Sequence, residues 1–129
     1  MRSPVSRQPM LVLELSGVEI DYCPASGGIW LDAGELETLL GNADAAGELL
    51  ATFLAAPGIH EKKVRCPRCS KKMEKVMVGG QVLIDRCVNG HGLWFDHGEL
   101  LQVLELEQTA GVEKVRDLLR DMFRDQLGK

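Results

Sequence analysis

The nine residues Gly28-Ile29-Trp30-Leu31-Asp32-Ala33-Gly34-Glu35-Leu36 return as Gly92-Leu93-Trp94-Phe95-Asp96-His97-Gly98-Glu99-Leu100, a shift of 64. The same shift carries Asp21 onto Asp85 and Cys23 onto Cys87. Farther upstream the offset is 63, so that Met10 meets Met73 and Ser3-Pro4-Val5-Ser6 meets Cys66-Pro67-Arg68-Cys69. One extra residue in the Gly79-Gly80 turn accounts for the slip. A chain that repeats its parts in one order folds as copies of a single supersecondary unit.

Each copy reads alike. A tight knuckle comes first, then a hairpin: Met10 to Leu15 with Val18 to Tyr22 in one copy, Glu74 to Val78 with Gln81 to Arg86 in the other. Ser16-Gly17 and Gly79-Gly80 supply the positive φ that a tight hairpin demands. A second knuckle follows, and then a helix. Asp32 and Asp96 stand at the N-cap position with Glu35 and Glu99 three residues on, the spacing of a capping box. Leu36, Leu39 and Leu40 form the apolar stripe of the first helix; Leu100, Leu101, Val103 and Leu104 give the second a broader face. Between the copies, Ala45 to Ala56 reads as another helix, carrying Leu49, Leu50, Phe53 and Leu54 and stopped by Pro57-Gly58.

After Gly111, apolar residues recur at spacings of three and four through Val112, Val115, Leu118, Leu119, Met122 and Phe123. The other face is charged, which makes this an amphipathic helix. Such a stripe docks on its own domain or on a second copy as a homodimer seam. The chain then divides into residues 1–58, a linker at 59–65, and residues 66–129.

Units of about 60 residues rarely bury enough apolar surface to fold unaided, and need a metal, disulfides or a partner. Here the metal is legible. Cys66-Pro67-Arg68-Cys69 is followed after 17 residues by Cys87-Val88-Asn89-Gly90-His91. Paired cysteines on a knuckle present two thiolates to one side, and two knuckles close a tetrahedron around Zn²⁺. Cys66, Cys69, Cys87 and His91 are the expected ligands of one zinc per chain. Four protein ligands leave no open position for water, so the site is expected to be structural and not hydrolytic. The fold class that follows is small α+β: two tandem zinc-ribbon-like hairpin units, each followed by a helix, plus the C-terminal amphipathic helix.

Other uses of these residues compete with that one. Cys66 and Cys69 have the spacing of a thiol–disulfide redox pair, but such a pair sits at a helix N-terminus after a strand, and here Ser70-Lys71-Lys72 leads into a hairpin. His60 falls in the linker and His97 in the first turn of a helix, where solvated side chains are expected. Trp30 and Trp94 read as core anchors. In the first copy the four ligand places hold Ser3, Ser6, Cys23 and Ser26. A neutral hydroxyl is a poor zinc ligand, so this copy is expected to be metal-free and the less stable half.

The run Cys66-Pro67-Arg68-Cys69, Met73, Asp85-Arg86-Cys87, then Gly92-Leu93-Trp94-Phe95-Asp96 and Gly98-Glu99-Leu100 resembles the transcription-factor-IIB-type zinc-ribbon family, whose members include small bacterial proteins. Cys23-Pro24-Ala25-Ser26-Gly27-Gly28-Ile29-Trp30-Leu31-Asp32 resembles the same signature with one ligand replaced. The resemblance covers about residues 3–40 and 66–104. It implies a zinc-ribbon fold with zinc at Cys66, Cys69 and Cys87. It departs at Gly90, where the family has its fourth Cys, and His91 is the natural substitute. It implies no reaction.

Three functional classes remain to compare. A zinc-stabilised protein-interaction module fits the closed metal site and an apolar stripe free to meet a partner. Nucleic-acid binding would use the basic patch of Lys62, Lys63, Arg65, Arg68, Lys71, Lys72 and Lys75. A net charge of −4 and the lack of interleaved aromatic residues weigh against it. An enzyme is the least supported: no Ser-His-Asp set or phosphate loop is visible, which leaves only redox chemistry. No apolar run reaches the roughly 20 residues that span a bilayer, and the N-terminal stretch makes a poor signal peptide, so a cytoplasmic location is expected.

Overall fold

The computed structural model describes residues 1–41, 43–58, 64–106, 113 and 115–121. In chain order its elements are β1 (Leu11–Leu15), β2 (Val18–Tyr22), β3 (Ile29–Asp32), α1 (Glu35–Leu40), α2 (Ala43–Ala51), β4 (Leu54–Ala55), β5 (Glu74–Val78), β6 (Val82–Arg86), β7 (Gly92–Phe95) and α3 (Glu99–Glu105). Residues 115–121 are helical as well. Both expected hairpins form, with β1 on β2 from Leu11↔Tyr22 to Leu15↔Val18, and β5 on β6 from Glu74↔Arg86 to Val78↔Val82. Ser16 and Gly17 turn the first at φ 51 and 82; Gly79 and Gly80 turn the second at 60 and 69, with Gln81 as the extra residue. The slip from 63 to 64 falls there.

From the sequence, each second knuckle leads straight into a helix. In the structure a third strand intervenes, β3 in one copy and β7 in the other. Ile29-Trp30-Leu31 and Leu93-Trp94-Phe95 are short apolar runs, mostly buried on both faces, so they show none of the alternation that marks a half-buried strand.

These third strands join the copies. β3 pairs antiparallel with β7 through Ile29↔Phe95, Trp30↔Trp94, Leu31↔Leu93 and Asp32↔Gly92, giving one sheet in the order β1-β2-β3-β7-β6-β5-β4. The register is symmetric about the two tryptophans, which are repeat mates, so a pseudo-two-fold axis passes between them. Gly28 and Gly92 are repeat mates too, and each receives the other copy's indole ring. A Cβ on Gly28 would run into Trp94, and one on Gly92 into Trp30 and the Leu31 carbonyl.

The main core gathers Ile20, Ile29, Leu31, Val76, Ile84 and Phe95 from the sheet with Leu36, Leu39, Leu40, Leu100, Val103 and Leu104 from α1 and α3. Val115 and Leu119 are buried in the same cluster. That half of the C-terminal stripe therefore docks on its own chain, while Leu118 stays 40 % exposed. Val112, Met122 and Phe123 lie outside the described residues, as do His60, Lys62 and Lys63 of the linker region. Lys75 Nζ lies 2.9 Å from Asp85 Oδ1, a buried cross-strand ion pair of the second hairpin.

Two local expectations need correction. The helix expected over Ala45 to Ala56 ends at Ala51. Leu54 and Ala55 instead pair with Met77 and Val76 as a short edge strand, and the Gly79 amide donates to the Thr52 hydroxyl at 3.0 Å. Backbone groups on the open edge of β5 thus outcompete another helical turn. Nor do Asp32 and Asp96 cap helices. The N-caps are Gly34 and Gly98, at φ 89 and 80. Half of each capping box survives, for the Asp32 and Asp96 amides donate to Glu35 Oε1 and Glu99 Oε1 at 2.6 and 2.8 Å. The Asp carboxylates themselves accept the indole N–H groups of Trp30 and Trp94, at 2.9 and 3.0 Å. A buried indole needs an acceptor more than an exposed helix end needs a cap.

Two predictions follow from the packing. Gly92→Ala should lower stability by about 2 kcal/mol or more, because its methyl would meet backbone and not a yielding side chain. Gly47→Ala, in open space on α2, should be neutral or slightly stabilising; equal melting losses in the two variants would contradict this. The second concerns Glu99, whose carboxyl burial pushes up from 4.5 to about 7, partly offset by the Asp96 amide. Folding thus disfavours its charged form, and stability falls as pH rises from about 4.5 through 7. Glu99→Gln should melt higher than the parent at pH 8, with the gap closing towards pH 5; a constant gap across that range would rule it out.

Candidate metal centre

The first knuckle of the second copy is held by the Cys66 amide donating to the Lys71 carbonyl and the Ser70 amide to the Cys66 carbonyl, both at 2.8 Å. Ser70 sits at φ 64. The second knuckle closes through the Gly90 amide on the Cys87 carbonyl at 3.0 Å and the Cys87 amide on the Gly92 carbonyl at 3.1 Å. The β5–β6 hairpin lies between the knuckles and sets their separation. Cys66, Cys69, Cys87 and His91 come together with all four donor atoms within 4.8 Å of one another.

The donor set fits zinc. Tetrahedral zinc with Zn–S of about 2.3 Å and Zn–N of about 2.0–2.1 Å places sulfurs about 3.8 Å apart and sulfur about 3.6 Å from nitrogen. Cys69 Sγ lies 3.6 Å from Cys87 Sγ, and His91 Nδ1 lies 3.4 Å from Cys87 Sγ and 3.9 Å from Cys66 Sγ. Amides support the sulfurs: those of Arg68 and Asn89 donate to Cys66 and Cys87 Sγ, each at 3.3 Å, and the Asn89 side chain reaches Cys69 Sγ at 3.7 Å. Asn89 is a supporting residue that sequence reasoning missed, since nothing in an Asn between ligands announces it. Without the ion, burial pushes the Cys66 thiol up to about 11, while the Lys71 amide helps hold Cys69 down to about 6. Zinc would hold all three sulfurs as thiolates, and its binding would release protons accordingly.

His91 reaches the cluster because a glycine and a ligand have exchanged places. In the first copy the second knuckle ends Ser26-Gly27, with Gly27 at φ 79; in the second it ends Gly90-His91, with Gly90 at φ 77. Moving the positive φ one residue earlier frees position 91 for a side chain. The imidazole is long enough to return to the place a nearer cysteine would fill.

The first copy keeps the same frame with one sulfur in place of three. Val5 and Ser6 amides donate to Ser3 Oγ, the Gly28 amide donates to Ser26 Oγ, and Ser6 Oγ lies 3.3 Å from Cys23 Sγ. Burial raises the Cys23 thiol, but the hydroxyls of Ser26, Ser3 and Ser6 more than offset it and leave it near 7. One sulfur and three neutral hydroxyls are a poor donor set for zinc; here they form a hydrogen-bonded network. Among the described residues, the cluster at Cys66, Cys69, Cys87 and His91 is the metal-capable group. His97 is exposed, its ring set against Gly27 and away from that group.

A second, smaller core ties the centre to the sheet: Met10, Met73, Trp30, Trp94, Cys23, Cys66 and Cys87 pack together. Arg68 pairs across the copies with Asp32, the same carboxylate that holds Trp30, and its hydrogen bond keeps the Asp32 carboxyl below the usual range.

The purified chain should carry close to one zinc. His91→Ala should release it to a colorimetric chelator faster than the parent, and Cys87→Ser should lose most of it and melt markedly lower. Two zinc ions per chain would show that the serine-lined knuckles bind metal after all.

The Transcription factor zinc-finger family model matches residues 4–41 and 65–106, more than half of the chain and in two separate stretches. Neither the curated proteins nor the solved structures yield a match. No described helix is long and apolar enough to cross a membrane. With its duplicated knuckle, hairpin and third strand, the chain belongs to the Transcription factor zinc-finger family, of which it carries two tandem zinc-ribbon copies.

Proposed function

We propose that this chain is a zinc-stabilised protein-interaction module and not an enzyme, with the open edge of β1 as its contact strand. The metal donor set carries the first half of that reading. Four protein donors around one ion leave no position for a substrate or an activated water. The same convergence argues against redox use of Cys66 and Cys69, which zinc would hold as thiolates. That the first copy keeps its shape without sulfur ligands also suits a role in which surface, not chemistry, is used.

The molecule supplies the precedent for the second half. β5 and β1 are repeat mates, and β5 is covered on its outer side by Leu54–Ala55 of the first copy, through Leu54↔Met77 and Ala55↔Val76. β1 ends the sheet with no such cover among the described residues, and presents Leu11 and Val12 at 52 % and 63 % exposure. Unpaired amides and carbonyls beside exposed apolar side chains are what strand addition uses. The partner is an extended apolar segment of another protein.

A peptide spanning residues 50–57, the stretch that covers β5, is the available probe. Added to the labelled full chain, it should shift the amide resonances of Leu11–Leu15, and Val12→Lys should weaken that response several-fold. Shifts scattered over the molecule, or none at β1, would refute the edge assignment. Measurable disulfide reduction by the zinc-loaded protein would refute the non-enzymatic reading.

A further inference from the structure

Among the described residues, Arg68, Lys75, Arg86, Arg116 and Arg120 each face a carboxylate within 4.0 Å. The basic patch expected from the run 62–75 therefore loses Arg68 to Asp32 and Lys75 to Asp85. The described cations with no such pairing are Arg2, Arg7, Arg65, Lys71 and Lys72, and all five lie in the first knuckles of the two copies. In a chain of net charge −4 this is strong segregation.

Four of the five line one cleft. It measures about 980 Å³, lies between the two knuckles, and takes Arg2 and Arg7 from one copy and Arg65 and Lys72 from the other, with no Asp or Glu among the described residues of its lining. Arg2 and Arg65 are repeat mates held in the same way. Arg2 Nη1 donates to the Arg7 carbonyl at 2.9 Å, and Arg65 Nη1 to the Ser70 carbonyl at 2.9 Å. Arg7 and Ser70 are themselves repeat mates at φ 63 and 64. Each guanidinium is thus fastened over its turn by one donor and retains the rest of its fork for a ligand. Pro4 and Pro67, again repeat mates, give the lining an apolar component.

We propose that this cleft binds the phosphates of a single nucleic-acid strand. Its volume suits a small ligand or one or two nucleotides and not a duplex. A phosphodiester backbone offers one charge per residue in a continuous row, which matches cations contributed alternately by two symmetric knuckles. The prolines offer sugar and base faces something apolar to rest on. Cys66 also lines the cleft, but zinc with three thiolates and a neutral imidazole carries only about −1, which leaves the cleft positive. The described lining includes no aromatic platform, so binding should ignore sequence and depend on salt. This inference is independent of the β1 edge.

The test is fluorescence anisotropy with labelled ten-residue thymidine and uridine strands on the zinc-loaded full chain, at salt from 20 to 200 mM. Two phosphates held by the four cations predict a log–log salt slope of about −1.4. The double variant R2A/R65A should bind at least tenfold more weakly at low salt and lose about half of that slope. R7A/K72A should do the same, and neither of these side chains fastens a turn as Arg2 and Arg65 do, so the fold should be kept; zinc content and circular dichroism check this. R120A, on the far helix, should match the parent. Absence of binding at 20 mM salt, unchanged binding in both double variants, or equal binding of a polyglutamate peptide would overturn the proposal. So would a mononucleotide binding as tightly as the strand, which would make the ligand a free nucleotide.

Discussion

The ladder between β3 and β7 is the contact on which the rest of the molecule depends. Each copy alone would be a three-stranded meander with an apolar outer strand and a tryptophan exposed on it. Pairing the two outer strands buries both indoles, satisfies both rows of backbone groups and joins seven strands into one sheet. The glycines opposite the rings, Gly28 and Gly92, allow the approach, and Asp32 and Asp96 take the indole protons that burial would otherwise leave without a partner. Core, knuckles and helices are all placed relative to that seam.

The two copies show one frame closed in two ways. In the second, three sulfurs and an imidazole converge at zinc-like separations. In the first, serine hydroxyls accept amide hydrogen bonds at the matching places and surround one remaining thiol. A structural zinc site can contribute about 10–16 kcal/mol of apparent binding free energy, far more than a few hydroxyl contacts at about 1 kcal/mol each. The first copy keeps its shape because the shared sheet and the Trp30–Trp94 core supply what the missing ion does not. An isolated ribbon of this size would have no such support.

Much of this was legible in the residues. The repeat offset located both hairpins and the slip between them, and the Cys66-x-x-Cys69 pair with Cys87 after 17 residues named three sulfurs that do converge with His91. What the sequence hid depends on contacts between copies. Ile29-Trp30-Leu31 carries no period-two signal because neighbours cover it on both faces. Asp32 followed by Glu35 looks like a cap, since spacing along the chain does not reveal that an indole lies within reach of the carboxylate. Leu54 reads as helix until the open edge of β5 is seen to claim it. The basic run around the first cysteine knuckle reads as a patch of its own; ion pairs with Asp32 and Asp85 take two of its five described members, and Arg65 and Lys72 group instead with Arg2 and Arg7, some sixty positions away in the chain.

The symmetric seam also bears on how the chain could be divided. The tandem copies invite a cut between residues 58 and 66, yet β3 and β7 face each other across that boundary and Leu54–Ala55 lies on the far copy's edge. Severing the polypeptide there would not yield two free domains. It would yield two fragments whose sticky strands match each other, or match a second copy of themselves nearly as well. The covalent link between them thus raises the local concentration of the correct mate and disfavours pairing of like with like.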